Sequence, residues 1–568
     1  MNQINADSNI DVVVHALKYN KFLNSLGGFV VVVNNKNVVI GVISDSDLRK
    51  IFLNRDLNLV DLKARDLMQK DFIFLTKDEF ESKSFTNLTL KIESRKILNK
   101  HTVNFIPVLD KNHKLLRILH ITDLLENWNE SESQIVIVGL GYVGLTLALA
   151  FAERGRPVIG IDSNVETIKM LKKGKTRIHE PEIEKLLSDK IKSHLTFSDT
   201  FAKVARSRKN QIRHYIVSVG TPMKKDNLID ESYINQAIED ISKNLQKGDS
   251  VILRSTVPIG FTRKASQKIE GISRLIAGVD FNLGYAPERT VEGNAIKECM
   301  TLPQIYSGLT NRCSNAIQSI FKQITDSQIK LESIESCEMG KLISNAYRDV
   351  NFGFSNEISL IAKENNIDIN RLIDNVNSGY PRNQIAQPSP GVGGPCLSKD
   401  SYMLMSKSFT DFSVIMSARN INEELPKLWG GGIADISKSL GITNILLIGL
   451  AFKGNPETND TRNSPSVVFA SYLKKEGFIP RIMDAIVTNS EIKQLQLCPF
   501  RETNKWRPEL VCILNNHAKN IEIFNGILKN LKANSKLILF DPWYMCTNYY
   551  HDTKISEVLT LSKKFSHE

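Results

Sequence analysis

Two hydrophobic rhythms alternate along this chain. Short, nearly continuous β-branched runs, "FVVVV" at 29–33, "IVIVG" at 135–139, "SVILRS" at 250–255 and "NILLIGL" at 444–450, have the length and character of strands buried on both faces. Between them lie longer stretches with apolar residues three and four apart, such as "LTLALAFAE" at 145–153 and "KLISNAYRDVNFGFSNEISLIAKE" at 341–364, which predict helices. Strand alternates with helix in two blocks, 132–328 and 431–568, and a mainly helical segment, 329–430, joins them. This order predicts an α/β protein with two Rossmann-like doubly wound domains. Residues 1–128 have another pattern. "GGFVVVVNNKNVVIGVISDSDLRKIF" and "VNFIPVLDKNHKLLRILHITDLLENW" each run strand, polar turn, strand, helix; this internal repeat predicts an α+β pair packed together. The polar stretch "NWNESESQ" separates the pair from the first Rossmann-like block.

Composition narrows the picture. With 568 residues the chain exceeds one core and needs several domains. Seven cysteines, an odd number with no C-x-x-C pair, fit the reduced thiols of a cytoplasmic protein and neither a disulfide framework nor a zinc site. The N-terminus lacks a basic and an apolar region, and the longest apolar runs are strand-sized, so no signal peptide or membrane span is expected. The formal charge of +11 is spread without a basic tract or interleaved aromatics, which argues against nucleic acid and for anionic small molecules as partners.

The strand at 135–138 runs into Gly139-Leu-Gly141-Tyr-Val-Gly144, a helix comes after it, and the next strand ends at Asp162. This is a dinucleotide fingerprint in its required context. Gly139 permits the tight turn, Gly141 admits the pyrophosphate and Gly144 lets helix and strand pack; Asp162 would accept from the ribose hydroxyls and repel a 2′-phosphate, favouring NAD over NADP. Further polar groups end later strands: Thr221-Pro222, Ser255-Thr256-Val257-Pro258, Pro287-Glu288 and Glu292-Gly293. In open α/β sheets such ends converge on the ligand. Glu338, Lys341 and Asn345 share one helical face; this reads as a salt-bridged surface, although Asn345 inside a helix asks for a reason. In "QPSPGVGGPCLSKD", Cys396 comes directly after a Gly-Gly-Pro turn with Lys399 and Asp400 three and four residues on. At a helix start these share the sulfur's face, and the dipole and the ammonium would favour thiolate. A small buried hydrophobe is the alternative. In the second α/β block Lys453, Asp460 and Arg462 precede Ser464-Pro465 at a helix start, where the cations suit a diphosphate.

The N-terminal repeats resemble a tandem CBS-type pair. That family places a hydroxyl residue three before an Asp to hold a ribose, matched by Ser44 and Asp47; in the second repeat Asp123 is present but His120 replaces the hydroxyl. The resemblance implies an adenine nucleotide as ligand, with a purely assembling pair as the alternative. Residues 132–568 resemble the UDP-glucose and UDP-N-acetylhexosamine dehydrogenase family through "GLGYVGL", "STVPIGFT", "APERTVEG", "EMGKLISNAYR", "PSPGVGGPCLSKD" and "GLAFKGNPETNDTRNSPS". The resemblance implies two successive NAD-dependent oxidations at C6 of a UDP-sugar, for surface polysaccharide precursors. It implies Cys396 as nucleophile, Asp400 and Lys341 as acid–base and oxyanion-stabilising groups, and Asn345 as a second donor. Glu288 would activate water, held by Thr256. The implied cofactor contacts are Gly139, Gly141, Tyr142, Val143, Gly144, Asp162, Thr221, Thr256 and Lys399. The implied substrate contacts are Glu288, Glu292, Lys341, Asn345, Arg382, Gly393, Lys453 and Arg462, with Gly393 and Gly394 letting backbone crowd the sugar.

"YPRNQIAQPSPGVGG" is nearer the acetylhexosamine group, whereas Pro395 and "LSKD" are nearer the glucose type. A UDP-N-acetyl-hexosamine is the expected sugar, with UDP-glucose as alternative, and a homodimer or higher oligomer built on the helical segment is expected. Two rival readings stand beside this one. They are a two-electron hydroxyacid dehydrogenase, which would have no use for Cys396, and a nucleotide-sensing regulator with a decayed active site.

Overall fold

The computed structural model describes residues 3–18, 28–45, 47–48, 61–81, 105–120, 133–191, 193–201, 211–224, 229–406, 413–501, 506–561 and 564–566. The chain divides into two compact units, Met1–Ser133 and Gln134–Glu568.

In the first unit, β1 (Gln3–Asn5) pairs parallel with β2 (Phe29–Val33), which pairs antiparallel with β3 (Val39–Ser44). A second sheet repeats this with β4 (Leu75–Thr76), β5 (Phe105–Leu109) and β6 (Leu115–His120). The internal repeat extends to the turns. Asn34 Oδ1 accepts from the N–H groups of Lys36 and Val38, and Asp110 Oδ1 from those of Asn112 and Lys114. At matching places Asn37 and His113 take φ of 58° and 56°. The hairpins meet where Phe29 stacks on Phe105 at 5.2 Å and the Val39 N–H donates to the His113 carbonyl. Ser44 and Asp47 come together, but with each other. Asp47 Oδ2 accepts from the Ser44 N–H and hydroxyl, and Oδ1 from Gln69 Nε2. Asp123 and the bulk of the helices expected after the two hairpins lie outside the described residues.

The second unit opens with an eight-stranded sheet made of β7 (Ser133–Val138), β8 (Val158–Ile161), β9 (Leu195–Ser198), β10 (Ile212–Val217), β11 (Ser250–Leu253), β12 (Asn282–Tyr285), β13 (Gln304–Gly308) and β14 (Gln328–Lys330). Their order is β14-β13-β12-β11-β10-β7-β8-β9, with β12 and β13 antiparallel. Alternate residues serve two cores, Ile135 and Ile137 on one face and Val136 and Val138 on the other. That is why these strands read as unbroken apolar runs. The sequence order turns back at β7, so the carboxyl ends of β7 and β10 flank a topological switch point.

The other sheet comprises β15 (Ile445–Ile448), β16 (Arg481–Met483), β17 (Cys498–Pro499), β18 (Leu510–Ile513), β19 (Leu537–Phe540), β20 (Ile555–Leu559) and β21 (Lys564–Ser566), ordered β17-β16-β15-β18-β19-β20-β21. It is parallel up to β20, and β21 pairs antiparallel with β20. Three helices join the sheets, Ile334–Glu364, Gly394–Met405 and Val414–Leu440. The first crosses the third at Gly353, where an added Cβ would stand 2.6 Å from that of Ala418. Among the described residues, no helix is long and apolar enough to cross a membrane.

Candidate active site

The Cys396 stretch does form a helix start. Gly393 is the N-cap, Pro395 stands in the first turn, and Cys396 comes next with its side chain exposed. The two glycines play a part the sequence did not indicate. A Cβ on Gly393 would lie 2.0 Å from the Asn463 carbonyl oxygen, and one on Gly394 2.6 Å from the Phe452 ring. The Gly394 N–H donates to that same Asn463 carbonyl. Expected to make room for sugar, they make room for the loop after β15, which docks on the cysteine helix.

Four segments converge beside Cys396. Asn345 Nδ2 donates to Asp400 Oδ2 at 2.6 Å, which explains an asparagine in a helix interior. Lys399 Nζ stands 3.1 Å from Asp400 Oδ1 and 3.5 Å from Thr221 Oγ1, and Thr221 in turn donates to the Thr256 carbonyl at 2.8 Å. Lys341 Nζ lies 3.9 Å from Glu288 Oε2. Asp400 and Lys341 are buried. Thr256 therefore joins through its backbone, and Glu288 also accepts from the Thr290 N–H. The predicted surface triplet divides: Glu338 is buried away from Lys341 and accepts from the Gly260 and Thr262 N–H groups and the Thr262 hydroxyl. It caps the helix Phe261–Ser273, a long-range role that no local spacing announces.

The thiol departs from expectation. Asp400 lies on the sulfur's face as predicted; the protein packed around the cleft and, after it, the Asp400 charge push the Cys396 thiol up to about 11, while Lys341 and Lys399 pull it down. The lysines soften the shift without reversing it.

The turn after β7 fits a dinucleotide. Gly139 has φ 92° and a Cβ there would meet the Ser218 and Val219 backbone, one on Gly144 would lie 1.8 Å from the Gly139 oxygen, and one on Gly141 would meet open space. The backbone thus closes on itself everywhere except where a pyrophosphate would approach. Asp162 directly follows β8 and accepts from the Leu140 N–H through Oδ2 and the Asn164 N–H through Oδ1, so it also braces the turn. Val143 is half-buried in the first helical turn. Tyr142 is engaged elsewhere. Its hydroxyl bonds the buried Glu180 and accepts from the Gly293 N–H, which ties the turn to the loop after β12. Glu180 also accepts from the Gly293 and Ala295 N–H groups.

Glu292, implied as a substrate contact, likewise faces the loop after β15 in the C-terminal domain. It accepts from the Thr458 hydroxyl, its backbone carbonyl accepts from Lys453 Nζ at 2.8 Å, and Arg462 Nη2 lies 3.8 Å from Oε1. Arg462 also forks onto Asp460. Lys453 and Arg462 belong to the loop after β15 that docks on the Cys396 helix through the Asn463 carbonyl. A second link across the domains, unread in the sequence, has Glu457 between His179 Nε2 at 2.7 Å and His517 Nε2 at 3.2 Å. Arg382 is not brought in. It sits on an exposed turn, donating to the Tyr380 hydroxyl and stacked on its ring.

Burial and Asp460 push the Glu292 carboxyl up to about 7, while Thr458, Arg462 and Lys453 pull it down. A carboxyl raised in the folded state costs nothing well below its unfolded value, where both states are protonated. The cost grows as pH rises towards the folded value and is constant above it. Glu292→Gln should therefore gain stability on the wild type between about pH 5 and 8, by at most roughly 3 kcal/mol at about 1.4 kcal/mol per unit. Thermal denaturation of both ligand-free proteins at the two pH values checks this, and a difference that does not widen with pH refutes it.

Comparison with known proteins gives three ordered matches to the UDP-glucose/GDP-mannose dehydrogenase family: its NAD binding domain at 133–325, its central domain at 335–424 and its UDP binding domain at 446–554. The CBS domain matches at 3–54 and 64–130. A UDP-N-acetyl-D-mannosamine dehydrogenase of Pyrococcus horikoshii is 35% identical over 348 residues, 60% of this chain and 81% of the relative. One of Campylobacter jejuni is 31% identical over 67% of this chain and 91% of the relative. The solved structure of the Pyrococcus horikoshii UDP-D-ManNAc dehydrogenase superposes with a TM-score of 0.65 at 31% identity, covering 72% of this chain and 94% of that one.

Proposed function

We propose that this chain, which belongs to the UDP-glucose/GDP-mannose dehydrogenase family, carries out a four-electron oxidation of a UDP-N-acetyl-hexosamine at C6, ending in the uronic acid. It is an NAD-dependent UDP-sugar dehydrogenase with an N-terminal CBS module. The observation that carries the finer reading is the convergence of Cys396, Asp400, Asn345, Lys341 and Glu288 in one cluster. An alcohol oxidation that stops at the aldehyde needs no thiol. UDP-N-acetyl-mannosamine is the preferred sugar, because the relatives at 31–35% identity carry that name.

Bound NAD supplies the hydride acceptor for both oxidations, and the turn at Gly139, Gly141 and Gly144, with Asp162, would hold it. The chain's own groups manage protons and charge. Asn345 gives one amide hydrogen to Asp400 and has a second for the C6 oxygen. Lys341, an almost buried ammonium, steadies the same oxygen and exchanges its proton. At the aldehyde, Cys396 Sγ bonds to C6 as its proton passes to Asp400, four residues on. The second oxidation leaves a thioester. Glu288 then takes a proton from water, the oxygen bonds to C6, the S–C bond breaks and Cys396 recovers its hydrogen. Lys453 and Arg462 suit the diphosphate.

The product would feed surface polysaccharide synthesis in the cytoplasm, and the helical segment would pair two copies. The CBS pair would take an adenine nucleotide at Ser44 and Asp47; ATP, ADP and AMP having no effect on turnover or on the thermal midpoint would exclude this. The central test is NADH formed per sugar consumed with UDP-glucose, UDP-N-acetylglucosamine and UDP-N-acetylmannosamine. A ratio near two on an acetylhexosamine is expected. A ratio near one on every sugar would favour a two-electron enzyme, and no turnover a regulator.

A further inference from the structure

Lys341, Asn345 and Asp349 occupy one ridge of the helix Ile334–Glu364, each four residues after the last. The first two reach the cluster beside Cys396. The third, fully buried, meets Arg419, the largest of the fully buried side chains among the described residues, at 2.7 Å between Oδ1 and Nη1. Arg419 reaches two more segments. Nη2 donates to the carbonyl of Val392, four residues before Cys396, and Nε lies 3.1 Å from Glu423 Oε1. Asp349 Oδ2 accepts from the hydroxyl of Ser401, the residue after Asp400, at 2.9 Å. Asn422 completes the knot, donating to Asp349 at 2.9 Å and bonding the Val392 N–H through its carbonyl.

A buried ion pair is a poor source of stability, since well-packed apolar residues often serve as well. What it supplies is direction, because each contact holds only in one geometry. Every segment tied here carries or adjoins a member of the cluster: the Lys341 and Asn345 helix, the Cys396 and Asp400 helix, and the loop that delivers the cysteine. We infer that the Asp349–Arg419 pair is a positioning element that sets the cysteine helix against the lysine helix, so that Cys396 meets a carbonyl carbon held by Lys341 and Asn345. The inference rests on the proposed role of Cys396. It concerns Asp349 and Arg419, both fully buried.

The test is Arg419→Lys, which keeps the charge and loses the fork that reaches Asp349 and Val392 together. Expected are a fall in kcat of about tenfold to a hundredfold with little change in KM, and more sugar released as aldehyde, so that NADH per sugar falls below two. The rate constant for alkylation of Cys396 by iodoacetamide, tracked by the mass of its peptide, should shift as well. Should Arg419→Lys fail to fold, Ser401→Ala removes one hydrogen bond to Asp349 and should move the same readouts less. A merely structural role would lower the thermal midpoint but leave kcat per folded site and the alkylation rate as in the wild type, and that result in the folding variant overturns the inference. A wild-type ratio of one NADH per sugar would instead strike the Cys396 reading, leaving kcat and alkylation to judge the positioning.

Discussion

Cys396→Ser is expected to abolish formation of the acid, lowering its rate by about a thousandfold or more, while the protein stays folded. Serine nearly preserves the side chain's size, and the position is open to solvent at the first turn of its helix, so neither packing nor capping should suffer. The chemistry changes fully. A hydroxyl in that place is a far weaker acid than a thiol, so Asp400, which takes the proton from sulfur, does not turn it into a comparable nucleophile. The first oxidation makes no use of the sulfur. The variant should therefore still turn alcohol into aldehyde, and the NADH formed per sugar should not exceed one. Product mass resolves the aldehyde or its hydrate from the acid. Acid appearing at the wild-type rate would remove the thioester from the reaction.

Much of the second unit was legible because its signals are local. A strand, a glycine turn, a helix and an acid ending the next strand are fixed by spacing, and Gly139, Gly144 and Asp162 stand where that spacing puts them. The paired hairpins of the first unit were legible for the same reason, down to the turns at Asn34 and Asp110. What escaped depends on residues far apart in the chain. Gly393 answers to a carbonyl 70 residues on, at Asn463, and Glu292 to Thr458 and Lys453. Glu338 looked like a partner for Lys341 until its real partners, Gly260 and Thr262, came into place. The sign of the Cys396 shift was misread for a different reason. Spacing puts Asp400 near the sulfur but does not say that crowding and a fixed negative charge outweigh two ammonium groups.

That balance gives the second large expectation. Lys341→Met should lower kcat by about a hundredfold to a thousandfold, the range seen when one oxyanion donor is removed, and should also move the alkylation of Cys396 to higher pH. Methionine fills most of the space, and the lysine is close to fully buried, so the charge is what the variant removes. Lys341 holds the thiol down while Asp400 and Glu288 hold it up. Without the ammonium, Glu288 loses the cation that stands 3.9 Å from its Oε2. The two readouts divide the roles. If kcat falls and the alkylation profile stays, Lys341 acts on the substrate oxygen alone; if the profile moves and kcat stays, its proposed place at the oxyanion is wrong. Both moving together would mean that one buried charge governs the nucleophile and the carbonyl it attacks.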